Sequence, residues 1–291
     1  MGITDLIKNS MKYPFSDMKT FLKFGVIVTI LNLLTSSSSY IFFIALYNIN
    51  YDTLSASTNI TTFSQATNLA FSHIPTNTWI IITILFILSI FVSLYILGYQ
   101  LNVIKNSVNE QYVLPDFNNP LNKLINGFKV AIVNIAYLII PIIILSIGVR
   151  IGGNFAIIFL IIGMILMIYM ALLSPMAIVH MCINDNKLAY AFKFTEIRQI
   201  ISKISWLRYF GTMFTLAIIL IIISLTAELI ISIIGSAISV LTGQFIIIFI
   251  VQTILMGLFV SSYITLFMNY AIGSLYNEKI LDYDVDEEYL I

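Results

Sequence analysis

Few residues of this chain could do chemistry in an apolar setting, and Glu228 leads them. It lies within Leu225-Thr226-Ala227-Glu228-Leu229-Ile230, inside an apolar run long enough to cross a bilayer. An acid at such a position costs roughly 2.5–3.5 kcal/mol on insertion scales, so it is expected to face a partner or water, or to be protonated. Gln252 falls at a similar depth in the next run, and Arg150, at the outer end of an earlier one, has the length to reach inward. Glu228, Gln252 and Arg150, joined by Ser36 to Ser39 of the first run, would form a polar cluster in the outer half of the membrane. Such a cluster is a candidate ion or proton site; the alternative is a structural hydrogen bond between the last two helices, worth ~1 kcal/mol. On either reading Glu228 is expected to be buried among helices.

Other chemistry has little to work with. Cys182 is the single cysteine, which excludes an intramolecular disulfide and any multi-cysteine zinc site. Of the two histidines, His73 has no partner in sequence. His180, near Cys182, reads as an interfacial side chain, since one His and one Cys leave a metal's coordination incomplete. The chain carries no His-Glu-x-x-His, no Gly-x-Ser-x-Gly, no phosphate-cradling glycine loop and no pair of acids within one apolar run. The expectation is a protein that is not an enzyme, with no cofactor and no metal. Asn59-Ile60-Thr61 matches a glycosylation sequon, a frequent chance match. Asp282, Asp284 and Asp286 resemble the start of a calcium loop, but Glu287 stands where the loop needs glycine.

The elements that must position these residues follow from composition. Hydrophobic residues make up 59% of the chain and charged residues 10%, with a mean hydropathy of +0.99, whereas soluble domains run about 45–50% apolar and about 25% charged. A net charge of zero gives no footprint for nucleic acid. Six runs have the ~20 apolar residues that a helix needs to cross hydrocarbon: 21–47, 79–101, 130–149, 155–183, 209–234 and 245–272. Alternation of period two is missing, so the expected class is all-α and polytopic and not a barrel. Residues 1–274 form one membrane domain, followed by an acidic tail, 275–291. Pro141 and Ser174-Pro175 are expected to kink the third and fourth helices, and Gly148-x-x-x-Gly152 fits a close helix approach.

Orientation follows from the basic residues, which collect in cytoplasmic loops. Lys8, Lys12, Lys19 and Lys23 precede the first run; Lys105, Lys123 and Lys129 lie in the second loop; Lys187, Lys193, Arg198, Lys203 and Arg208 lie in the fourth; Lys279 is in the tail. Only Arg150 falls opposite, and the first loop, 48–78, has none. Both ends are therefore expected in the cytoplasm, with the protein in the cell membrane. A cleaved signal peptide is the competing reading of Phe24 to Ser39, but apolar character resumes at Tyr40.

Each pair of helices is preceded on the basic side by a short amphipathic segment with Phe beside an acid: Pro14-Phe15-Ser16-Asp17, Pro115-Asp116-Phe117 and Phe194-Thr195-Glu196. In the first two a glycine, Gly25 or Gly127, follows ten residues after the Phe; the third keeps Gly211 at longer spacing. The pattern suggests three re-used helical hairpins. Around the third segment, Tyr190, Phe194, Ile197, Ile201 and Ile204 share one helical face. This predicts an amphipathic helix from about Lys187 to Ser205, on the inner membrane surface or against the mouth of the bundle.

Met11-Lys12-Tyr13-Pro14-Phe15-Ser16-Asp17, Leu114-Pro115-Asp116-Phe117 and Ala191-Phe192-Lys193-Phe194 resemble a group of uncharacterised multi-pass proteins from archaea, chiefly methanogens, and some bacteria. The resemblance spans nearly the whole chain and implies the topology, with no catalytic or binding residues to carry over. Two functional readings follow. One is a non-catalytic membrane module that organises lipid or recruits a protein partner or a second copy of itself. The other is a small transporter or channel with a polar path past Glu228.

Overall fold

In the computed structural model, which describes residues 2–47, 71, 74–244 and 246–288, the apolar runs are helices, and no strand occurs among the described residues. A short helix α1 (Ile3–Lys12) and a 3-10 turn (Tyr13–Phe15) lead into α2 (Met18–Tyr47). Then come α3 (Thr76–Val108), α4 (Pro120–Ile151) and α5 (Gly153–Ile183). A second 3-10 turn (Leu188–Phe192) and α6 (Phe194–Ile204) precede α7 (Trp206–Thr242). The last span starts as α8 (Ile246–Leu255), passes through a π-helical segment (Met256–Ser261) and continues as α9 (Ser262–Glu288). Among the described residues, six helices are long and apolar enough to cross a membrane. The sequon at Asn59, His73 and the side chains of the tail acids lie outside the described residues.

Local chemistry sets the ends. The Asp17 carboxylate accepts from the backbone N–H of Lys19 at 3.0 Å and of Thr20 at 3.3 Å, a cap for the otherwise unpaired first turn of α2. The Thr20 hydroxyl also donates to it, so bonding to the charged form holds the Asp17 pKa below its ordinary value. Asn119, in the left-handed region (φ 55°), sets up Pro120 at the first position of α4. Gly152 (φ 66°) makes the tight turn into α5. Pro141 and Pro175 both lie inside helices that continue past them.

The three hairpins are present but not separate. Helix α2 packs on α3, α4 on α5, and α7 on α8, while α3 also meets α4 and α9 and joins the first two hairpins to the last span. Two of the three patterned glycines explain why. A Cβ at Gly127 would run into the Leu94 carbonyl oxygen, and one at Gly25 into that of Leu258, so both helices cross at backbone distance. Gly211 faces open space, and the pattern fails there. Nearly all of the buried core lies toward the end of the bundle that carries the basic segments.

The expected boundary between membrane domain and tail at 274/275 falls inside α9. Leu275 and Tyr276 belong to the core, and the Asn277 amide donates to Glu110 at 3.1 Å. The sequence placed the boundary there because the acids begin soon after; helical packing carries on further.

Candidate functional site

Glu228 does not sit where a buried acid should. On α7 it shares a face with Ile221 and Leu225, which are 57% and 63% exposed, and it is itself exposed on the flank of the bundle. Helical spacing puts Glu228 on the same face of α7 as the buried Ile231, Gly235 and Ser239, the face that meets α8, yet at its own level the carboxylate stays exposed. Gln252 does reach it, donating from Nε2 to Oε1 at 3.4 Å, longer than an ordinary N–H···O bond of 2.7–3.2 Å. Arg150 is exposed at the end of α4, which packs on α3 and α5, and it forms no ion pair among the described residues. Ser38 and Ser39 donate back to Leu34 and Thr35 of their own helix. The expected cluster thus reduces to one polar pair, Glu228 and Gln252, on an exterior face.

The built part of the molecule is the basic end. Ile197, Ile201 and Ile204 are buried, joined by Ile200, which the pattern left out. Helix α6 packs on α5, α7 and α9, so of the two expected positions it takes the mouth of the bundle. It is shorter than expected: Leu188–Phe192 is a 3-10 turn, and Lys193 (ψ 69°) breaks the run before α6 begins. Tyr190 is therefore half-buried on that turn, and Phe194 is 40% exposed with its ring 5.5 Å from that of Tyr137.

Charge pins this helix. Glu196 Oε1 accepts from Lys193 Nζ at 2.8 Å, and Oε2 lies 2.9 Å from Nε2 of the buried His180. Lys193 also lies 4.2 Å from the centre of the Tyr190 ring, a cation–π contact. The hydrogen bond from Lys193, then that from His180, hold the Glu196 pKa below its ordinary value. His180 and Cys182 have separate partners, since Cys182 Sγ approaches the Leu101 carbonyl at 3.4 Å.

A set of tyrosines that no sequence motif singles out ties the segments down. Tyr13 donates to the Val113 carbonyl at 3.0 Å, Tyr99 to Pro115 at 2.8 Å, Tyr137 to Ala191 at 2.8 Å and Tyr209 to Leu172 at 2.6 Å. Tyr112 reaches Asn9 and Tyr263 reaches Met11. The rings of Tyr13, Tyr99, Tyr137 and Tyr209 are buried while their hydroxyls satisfy main-chain carbonyls, those of Val113 and Pro115 lying outside regular structure. Burial, with Tyr270 and Tyr112 adding to it, pushes the Tyr13 hydroxyl well above its ordinary pKa, so it stays a neutral donor. The signal was available: tyrosines recur near the basic ends of the runs, at 13, 99, 209 and 263. Lys123 was missed in the same way. Expected in a solvated loop, it is buried in the first turn of α4, its ammonium donating to the Asn118 carbonyl and lying 3.9 Å from Asp116.

Six apolar helices around a tyrosine-tied end define a multi-pass, membrane-embedded helical protein. Residues 80–232 match the family described as protein of unknown function (DUF4013), and the chain belongs to that family. The match takes in the second to fifth spans and leaves Tyr13-Pro14-Phe15-Ser16-Asp17 outside it. Comparison with curated proteins finds no match. Comparison with solved structures finds none either.

Proposed function

We propose that the chain is a non-catalytic module of the cell membrane, with both termini in the cytoplasm, that organises lipid or a partner protein. The observation that carries this reading is the cap at the basic end. There α6 buries four isoleucines, Glu196 is held by Lys193 and His180, and tyrosines bind the connecting segments. Burying four such side chains supplies about 1.5–3 kcal/mol each, which suits a fixed platform better than a gate. Glu228 supports the same reading, because it stands on the flank, where a partner helix or a second copy would cover it. Vesicles containing the purified chain should hold proton, sodium and potassium gradients as well as protein-free vesicles do. Dissipation that Glu228→Gln abolishes would replace this reading with a transporter working through Glu228.

A further inference from the structure

Helices α3, α4, α5 and α9 leave a cavity of about 430 Å³ between them, within the range of roughly 300–1,000 Å³ typical of small-molecule sites. Its walls are mostly apolar, but the polar groups on them are arranged in an unusual way. The Ser174 hydroxyl donates to Asn134 Oδ1 at 3.2 Å, and the Asn134 amide nitrogen makes no hydrogen bond among the described residues. Asn269 donates to the Thr265 carbonyl of its own helix at 2.8 Å, which leaves its Oδ1 as an open acceptor. Two prolines add to this. Pro175 has no N–H, so the Ala171 carbonyl loses its regular helical donor, and Pro141 does the same to the carbonyl of Tyr137. Ala171, Pro175 and Tyr137 all line the cavity.

The side chains of the cavity wall thus offer one unused donor, the Asn134 amide, and one unused acceptor, Asn269 Oδ1, in an apolar setting. No lining residue is charged, so an ionised headgroup would enter without a counter-charge, at high cost. A hydroxyl both accepts and donates. It can take a hydrogen bond from the Asn134 amide and give one to Asn269 Oδ1. Leu138, on the rim, is 44% exposed on the flank of the bundle, so the cavity opens sideways toward the bilayer.

We propose that this cavity binds an uncharged lipid by its hydroxyl group, with the chain against Leu138 and Met170. The proposal names a ligand class for the lipid-organising reading above and rests on that reading for its bilayer setting. The test uses the full chain in nanodiscs and a long-chain primary alcohol carrying a diazirine and an alkyne. Photolysis should attach the probe to α4 and α5 around Asn134–Leu138 and Met170–Ile178. Unlabelled alcohol should compete about five- to tenfold better than the corresponding alkane or the ionised fatty acid, the ratio expected for one or two hydrogen bonds. Asn134→Leu should weaken labelling by a similar factor. Where that variant is not monodisperse, Asn269→Leu, on another helix, reads the same site. Equal competition by the alkane, labelling unchanged in the variants, or attachment confined to other helices would overturn the proposal. Gradient leakage in vesicles would count against the module reading and leave the labelling result standing, so the two failures are distinguishable.

Discussion

Replacing Gly127 with alanine should unfold this protein more readily than the same change at Gly211, although both are helical glycines set near the start of a span. The comparison isolates one quantity. Alanine gains roughly 0.5–1 kcal/mol over glycine in a helix, and that gain applies at both positions and cancels. At Gly211 nothing lies within 4 Å of the added Cβ, so Gly211→Ala should be neutral or stabilising by that amount. At Gly127 the Cβ meets the Leu94 carbonyl oxygen and comes within 3.0 Å of the Gly98 backbone nitrogen. Neither obstacle is a side chain that could rotate away. The α3–α4 crossing must open, and α4 carries the fully buried Val133 and the nearly buried Val130. Overpacking costs about 1–3 kcal/mol when side chains can shift, and a backbone obstacle puts this case at the upper end. The two variants should differ by about 3 kcal/mol, more than a hundredfold in the folding equilibrium. Thermal unfolding and sodium dodecyl sulfate titration of both proteins in one detergent measure it. Equal midpoints would mean that α3 and α4 do not cross at backbone distance.

With Cys182 removed, a cysteine at Ser202 should react only from the cytoplasmic side and one at Ser57 only from outside; labelling of both from one side would refute the topology. Ile201→Ala removes a fully buried side chain and should destabilise by about 2–5 kcal/mol, whereas Phe194→Ala should change stability by about 0.5 kcal/mol or less, both read by thermal unfolding. Because the Glu196 pKa is depressed in the fold, its contribution is present above the ordinary carboxylate value of 4.5 and is lost as pH falls through the lowered value. Trp206, just past α6 and stacked on Tyr169 at 6.4 Å, reports this in a Trp79→Phe background. Its fluorescence should change only below pH 4.5, and Glu196→Gln should remove that transition; a midpoint at or above 4.5 would contradict the ion-pair account.

Helix number and class were legible because the bilayer imposes a length and a polarity that composition alone must meet. The α6 stripe was legible for a related reason, since isoleucines recurring at three and four residues define a face whatever covers it. Helix ends were harder. Asp17 and Glu196 registered as a repeated pattern of Phe beside an acid, but the pattern does not say that Asp17 caps α2 while Glu196 reaches across to His180. The difference depends on which helix end lies opposite, and that is tertiary information. The π-helical segment at Met256–Ser261 left no mark that periodicity could detect. It lies where the last span meets α2, and a Cβ on Gly257 would come within 2.6 Å of the Thr29 Cα.

The candidate site shows the limit more sharply. Insertion cost gives the expense of an acid at depth but not the direction it faces, and direction is set by which neighbour each helix finds. The cost of leaving Glu228 in hydrocarbon predicts a buried position; in the fold it lies on the face of α7 that meets α8, where Gln252 reaches it, and is still left exposed. Asn134, Ser174 and Asn269 carry no such cost in sequence. Each is a modest polar residue that a helix can satisfy by itself, as Asn269 partly does through Thr265. What makes them a site is that α4 and α5 bring Asn134 and Ser174 to one cavity wall, while α9 supplies Asn269 from a distant part of the chain. A polar group in a membrane helix therefore marks function more reliably by its unmet hydrogen bonds in the folded bundle than by its charge in the sequence.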